Sequence, residues 1–181
     1  MRDVDVRVAL HKKLMAEHLD DTLIMDELGL CGEVRVDVAV VNGALSGFEL
    51  KSARDTLRRL PKQIEIYSRV LDHAVLVVAD NHLDSAMSMV PDWWGVVRAQ
   101  GSAGAVVLES ERIVGTNCSV DPMSLVQLLW RDEALEELEI RCAASGVRSK
   151  PRWAVWNRLA ETVDVGELRT IVRHRLKARQ L

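Results

Sequence analysis

Two apolar runs, Val34–Val41 and Leu45–Lys51, stand on either side of Asn42-Gly43. Asn-Gly between such runs is the strongest short-range hairpin signal, because both residues tolerate the positive φ of a tight type I′ turn. Upstream, apolar side chains at positions 4, 6, 8, 10, 14 and 19, with strong helix formers from Ala9 onward, predict one helix over residues 4–19. Residues 22–28 read as a short strand leading into the hairpin. Ser52 opens the next helix, with Asp55 placed as in a capping pair and Leu57, Leu60, Ile64 and Tyr67 as its apolar positions. Pro61 lies inside that stretch, and an interior proline costs about 3 kcal/mol, so a kink or break is expected there. Residues 74–79 are wholly apolar, as in a central strand covered on both faces. Further strands are expected at 94–98 and 105–109. After Asp121-Pro122 the pattern turns helical, near 122–130, 132–144, 151–162 and 165–179. Residues 145–151 form the best linker candidate, and Asp164 caps the last helix with Glu167 at the box position.

The hairpin also carries chemistry. Strand side chains alternate, so Glu49 and Lys51 share a face. A strict two-residue turn sets Asp37 opposite Phe48 and sends Asp37 and Glu49 to opposite faces. Val36, Val38 and Val40 form one face that Leu45 should match, yet Phe48 and Leu50 differ from Leu45 in parity. One extra residue resolves both conflicts, and Ser46-Gly47 is where a bulge is expected. With it, Asp37, Glu49 and Lys51 gather on one face. Aspartate disfavours strands, so Asp37 on an apolar strand asks for a reason. Two hard carboxylate ligands beside a lysine suit a magnesium-dependent phosphodiesterase, the ammonium orienting water or neutralising phosphate charge. The plainer reading of Glu49 and Lys51 is an exposed ion pair worth little.

Asp37, then Glu49-Leu50-Lys51, then a helix bearing Gln63-x-x-x-Tyr67, resembles the core of the PD-(D/E)XK nuclease superfamily. The Gln-x-x-x-Tyr pattern is similar to that of RecB-type exonucleases, and residues 26–94 resemble small bacterial proteins of that superfamily. The resemblance covers roughly residues 1–100. The proline of the superfamily's name is absent, with Val36 preceding Asp37. The resemblance implies that Asp37 and Glu49 hold Mg²⁺ or Mn²⁺, with Glu27, or its rival Glu17 on the first helix, as the third acid. It also implies that Lys51 places or activates the attacking water, while Gln63 and Tyr67 orient Lys51 or the scissile phosphate. Arg35 is open to phosphate contact or to pairing with an acid.

At 181 residues the chain is long enough to bury a proper core, and no apolar run approaches the ~20 residues of a membrane span. The charged, alternating start argues against a secretory signal, so a cytoplasmic protein is expected. Cys31, Cys118 and Cys142 lack metal-ligand spacing and read as reduced thiols, too few for a four-cysteine iron–sulfur cluster. His11, His18, His73, His82 and His174 show no ligand spacing either. Packing is favoured over base stacking for Trp93, Trp94, Trp153 and Trp156. Net charge is −3, but residues 142–181 carry nine Lys/Arg against three acids. This asymmetry makes the tail, with Arg173 and Arg175 foremost, a candidate phosphate contact; a solvated basic face is the alternative.

The expected fold is α/β: a restriction-endonuclease-like core with a mixed central sheet flanked by helices (residues 1–120), then a helical carboxy-terminal region (121–181, basic from about 148). The expected function is metal-dependent hydrolysis of nucleic-acid phosphodiesters, with DNA as the partner, no membrane, and a homodimer left open. Two alternatives stand beside it. One is a protein of the same fold that binds nucleic acid without turnover. The other is a helix-turn-helix adaptor built on residues 152–179.

Overall fold

Val6, Leu10 and Leu14 recur along one face of the first helix and are all buried, while Asp3 and Asp5 occupy its first turn, where negative charge suits the helix dipole. In the computed structural model, which describes residues 2–17, 21–102 and 105–179, this helix is α1 (Asp3–Glu17). The expected end at residue 19, and His18, lie outside the described residues. Then come β1 (Leu23–Leu30), β2 (Val34–Val41), β3 (Leu45–Lys51), α2 (Leu60–Val70), β4 (His73–Ala79), α3 (Leu83–Met87), β5 (Gly95–Ser102) and β6 (Ala105–Arg112). The carboxy-terminal helices are α4 (Pro122–Leu125), α5 (Arg131–Ile140), α6 (Arg152–Thr162) and α7 (Val165–Ala178).

The six strands form one sheet in sequence order. β3, β4 and β5 are mutually parallel, and the remaining neighbours are antiparallel. Helices cover both faces, so the fold is α/β with a mixed central sheet, consistent with a restriction-endonuclease-like core. α1 packs Val6, Leu10 and Leu14 against Val38, Val40, Leu50, Val75 and Val77. On the other face, Ile66, Tyr67 and Leu71 meet Val36, Ala39, Leu45, Leu76 and Val78. Leu125, Leu138, Val155, Leu159, Leu168 and Val172 belong to that same cluster. The carboxy-terminal helices therefore share a core with the sheet. As expected, residues 74–79 of β4 are apolar and buried because both faces are covered; the strand also takes in His73 at its start.

The hairpin corrects the expected turn. Its loop has three residues, Asn42-Gly43-Ala44, and the Ala44 N–H donates to Asn42 Oδ1 at 3.0 Å. The extra residue sits there, and the β2–β3 register (Val41↔Leu45 to Val38↔Phe48) runs without a bulge at Ser46-Gly47. Phe48 and Leu50 join Val38 and Val40 as expected, whereas Leu45 lies on the opposite face with Ala39 and Val41. Gly47 has a different role: a Cβ there would run into the Leu71 side chain, so the glycine lets α2's exit pack flat on β3.

Val36, Val38 and Val40 do not share a face. β1 and β2 pair Asp26↔Val38 and Leu28↔Val36 but skip the Glu27/Asp37 pair between them, and Glu27 has a φ of 57°. The face of both strands changes at this point, so Val36 joins Ala39 and Val41 on the α2 side while Val38 and Val40 face α1. Left-handed backbone at a glutamate costs roughly 1–2 kcal/mol, and such strain gathers at functional positions. The start of α2 also differs from expectation. Ser52 is held in a turn by Asp55, a 3₁₀ turn covers Leu57–Arg59, and Pro61 stands in the first turn of α2, where its missing N–H costs nothing. No kink is needed. Asp164 caps α7 as expected, accepting from Gly166 at 2.9 Å and Glu167 at 3.1 Å.

Candidate functional site

Where the β2–β3 ladder ends, the next two residues across the hairpin are Asp37 and Glu49. The ladder does not continue through them by backbone pairing. Instead Asp37 Oδ2 accepts the Leu50 N–H at 2.7 Å, so the carboxylate takes the place of a strand carbonyl. Glu49 and Lys51 point toward α2 and are 2% and 3% exposed. Lys51 Nζ donates to Glu49 Oε1 at 2.6 Å and to Gln63 Oε1 at 3.0 Å. Gln63 Nε2 donates to Glu49 Oε1 at 2.6 Å, and the Tyr67 hydroxyl lies 2.5 Å from Glu49 Oε2 and 3.0 Å from the Arg35 carbonyl oxygen. Gln63 and Tyr67 reach the same carboxylate because they sit four residues apart on α2. Tyr67 is fixed from behind by Trp94, its ring stacked at 5.6 Å. Five of the residues singled out in the sequence thus converge.

The group lies at the floor of a cleft of about 970 Å³ between the start of α1 and the start of α2. Its walls are polar: Arg7 and Glu27 on one side, Arg54, Arg59 and Lys62 on the other. Burial, and after it the Glu49 charge, push the Asp37 carboxyl up to about 7, against the Leu50 N–H, Arg7 and Lys51, which favour its ionised form. Burial, then Glu49, hold the Tyr67 hydroxyl protonated far above its usual range. A phenol so held serves as a donor to Glu49.

Asp37, Glu49 and Glu27 offer the oxygen donors a hard cation takes. Among the described residues, no three His, Cys, Asp or Glu side chains are gathered closely enough to form a metal cage. The donor set still fits Mg²⁺ or Mn²⁺ held by one or two carboxylates with water filling the other positions. Two like charges brought together at a buried position, one of them pushed toward neutrality, are what a cation would relieve.

Of the two rivals for the third acid, Glu27 lines the cleft at the strained point of β1. Glu17 does not line it; it is half-exposed and its Oε1 lies 2.7 Å from Lys13 on its own helix. Arg35 reaches the rim, largely exposed and 3.5 Å from Glu27. Arg173 and Arg175 do not line the cleft. Arg173 lies 3.5 Å from Asp72, and Arg175 donates to Glu137 at 2.9 Å and Glu136 at 2.7 Å. Lys177 meets Asp21, and Arg179 meets Glu133. Much of the charge asymmetry along the sequence is cancelled in space, because α7 pairs with Glu133, Glu136 and Glu137 of α5 and with Asp72 and Asp21. Trp94 and Trp156 are core residues as expected, whereas Trp153 is exposed.

Sequence reasoning missed Arg7. Its guanidinium donates to the Asp37 carbonyl oxygen at 2.6 Å and to Asp26 at 3.0 Å, and stands 3.5 Å from both Glu27 and Asp37 Oδ1. The signal was its place beside Val6 in the buried stripe of α1, at the border of the covered sheet face. Arg54 and Arg59 were also missed, although they follow the Glu49-x-Lys51 strand directly.

Comparison with known proteins gives the following likenesses. Over 111 residues the chain is 32% identical to protein cII of Enterobacteria phage P4; the match covers 59% of this chain and 41% of that protein, so it spans about two fifths of its relative. A protein of unknown function from Silicibacter pomeroyi has a similar fold, with a TM-score of 0.50 and 17% identity over 83% of this chain and 98% of that one. Pyrococcus furiosus SfsA, solved in complex with Ca²⁺, aligns with a TM-score of 0.35 and 17% identity, over 58% of this chain and 60% of its own. The description "Bacteriophage P4 protein cII" matches residues 1–180, and the chain belongs to that family.

Proposed function

We propose that this chain is a divalent-metal-dependent hydrolase of nucleic-acid phosphodiesters, with DNA as its substrate, acting through Asp37, Glu49 and Lys51. The carrying observation is the Lys51 ammonium, buried, bonded to Glu49 and Gln63, and lying at the floor of an open polar cleft. Burying an ion pair is a weak source of stability, because desolvation of each ion costs several kcal/mol. Its presence beside a carboxyl pushed toward neutral pH is better explained by chemistry. Asp37 and Glu49, with Glu27 lining the same cleft, would hold a Mg²⁺ or Mn²⁺ ion, which would supply Lewis acidity to a phosphate oxygen and lower the pKa of a water. Lys51 has three N–H donors and two intramolecular acceptors, which leaves one for the phosphate or the attacking water. Gln63 and Tyr67 position Glu49 and Lys51. They hold both carboxylate oxygens, and Gln63 also fixes the lysine.

The test is incubation of the protein with Mg²⁺ or Mn²⁺ on single- and double-stranded DNA and RNA, beside Asp37→Ala. Metal-dependent cleavage lost in that variant supports the hydrolase. A second reading, a nucleic-acid-binding protein of the same fold without turnover, draws on the fact that both Glu49 oxygens already have partners within the protein. Nucleic-acid binding with no calorimetric Mn²⁺ signal and no cleavage would favour it.

A further inference from the structure

Most arginines of this protein are committed to acids, among them Arg2, Arg7, Arg35, Arg69, Arg98, Arg112, Arg131, Arg141, Arg148, Arg169, Arg173, Arg175 and Arg179. Arg54, Arg58 and Arg59 are different. All three are exposed, and among the described residues none makes an ion pair or a side-chain hydrogen bond. They fall within six positions of one connection, between the end of β3 and the start of α2, and Arg54 and Arg59 line the cleft whose floor is Glu49 and Lys51. The one acid among them, Asp55, does not neutralise them. It is engaged by the Ser52 N–H at 2.8 Å and the Ser52 hydroxyl at 2.6 Å, and so pins the connection. The connection is tied a second time by Asn81, whose amide donates to the Ala53 carbonyl at 3.3 Å. The three cations thus stand on an anchored segment. The facing wall is mixed in charge, with Asp3 and Glu27 both paired to Arg7 and Glu27 also to Arg35.

We infer that Arg54, Arg58 and Arg59 form the phosphate-binding rail of the cleft, holding the backbone of a nucleic-acid strand along the β3–α2 side so that one phosphodiester lies over Lys51. This rests on the hydrolase reading for the identity of the anion. It moves the substrate contact from the basic carboxy-terminal helix, where the arginines are neutralised, to the connection where they are not. Exposed, unpaired guanidinium groups suit this task, since each can fork onto a phosphate without first breaking an ion pair. The opposite wall offers no such free cations, since Arg7 and Arg35 there are engaged by acids, which sets the side on which the backbone runs.

The experiment measures binding of the full-length protein to fluorescein-labelled 20-mers, single- and double-stranded DNA and RNA, across a salt series in EDTA so that no hydrolysis occurs. Each phosphate neutralised contributes roughly −0.7 to −0.9 to the slope of log affinity against log salt. Arg54→Gln/Arg58→Gln/Arg59→Gln should flatten the slope by roughly 2 and weaken binding about 10- to 100-fold at moderate salt. The corresponding triple lysine variant should keep most of the slope, because it keeps the charges. Lys12→Gln/Lys150→Gln, which removes two cations outside the cleft, should leave the slope near wild type. An unchanged slope in the glutamine variant, or no wild-type binding to any oligonucleotide, would overturn the inference. Cleavage assays with Mg²⁺ keep the two readings apart. Loop-dependent binding without cleavage retains the rail and defeats the hydrolase; cleavage with unchanged KM in the glutamine variant does the reverse.

Discussion

Arg7 on α1 and Asp37 on β2 are joined twice, by a 2.6 Å hydrogen bond to the Asp37 carbonyl oxygen and by a 3.5 Å approach to its Oδ1. The same guanidinium meets Asp3, Asp26 and Glu27, so one cation serves four acids beside the middle of β1 and β2. A divalent ion held by Asp37 would feel that charge as repulsion. At about pH 8.5, where Asp37 is ionised, Arg7→Gln should tighten Mn²⁺ binding by roughly tenfold, the scale expected from removing one partly screened unit charge a few ångströms from a dication. Calorimetric titration decides it. Equal affinities would confine Arg7 to a role in holding α1 on the sheet.

The Asp37 carboxyl also sets a pH dependence. Its value in the folded protein is about 7, against an ordinary 3.8, with burial the larger cause and Glu49 the next. Between those two values the folded protein keeps a proton that the unfolded chain releases. The stability this group contributes is therefore fully present below about pH 4 and is lost as pH rises through about 7. Asp37→Asn has no such loss. In urea titrations without metal, the wild type should fall relative to Asp37→Asn between about pH 4.5 and pH 8, by up to about 4 kcal/mol. Mn²⁺ should narrow the gap. Parallel curves would return the carboxyl to its ordinary range.

Much of this site could be read in the sequence because its signals are local. Glu49 and Lys51 are two apart on one strand, Gln63 and Tyr67 are four apart on one helix, and both spacings fix a shared face. The need for one extra residue in the hairpin was also legible, since it brings Phe48 and Leu50 onto the face of Val38 and Val40, although Leu45 does not share that face as expected. Its location was not, because a three-residue loop and a bulge shift the register equally, and only the packing of Leu71 on Gly47 explains why glycine stands there. The step at Glu27 and Asp37 was invisible because both strands shift together and leave their ladder in phase. The tail misled for a different reason. Net charge over a segment says nothing of what faces it, and the acids that neutralise α7 lie on α5 and, still earlier in the chain, at Asp72 and Asp21.

Lys51 separates chemistry from the metal shell. Lys51→Ala should lower cleavage by at least about 100-fold, the scale of one positioned proton-transfer or charge-stabilising group. Mn²⁺ affinity should stay within a few-fold of wild type, because Asp37 and Glu49 remain. Stability should fall, by roughly 3–5 kcal/mol if Glu49 stays ionised, since removing one partner leaves a buried carboxylate held only by Gln63 and Tyr67. Glu49→Gln/Lys51→Met, which removes both charges, should recover most of that loss while remaining inactive. Wild-type cleavage in Lys51→Ala would reassign the lysine to a structural ion pair.

The basic helix α7 should now behave as a structural element. Arg175 donates through Nε to Glu137 at 2.9 Å and through a terminal nitrogen to Glu136 at 2.7 Å, and Glu137 is buried. Removing Arg175 leaves Glu137 with Arg141 alone. Arg175→Gln should therefore cost about 1–3 kcal/mol, the scale for a charged hydrogen bond lost from a partly buried acid. Arg173, close to the buried carboxylate of Asp72, should behave alike. Urea unfolding measures both. The contrast with the rail is the informative part. Arg173→Gln/Arg175→Gln should lower stability and leave the salt slope of oligonucleotide binding unchanged, whereas the Arg54, Arg58 and Arg59 changes should alter the slope and spare stability. A flattened slope with wild-type stability in the α7 variant would restore that helix as the contact with phosphate.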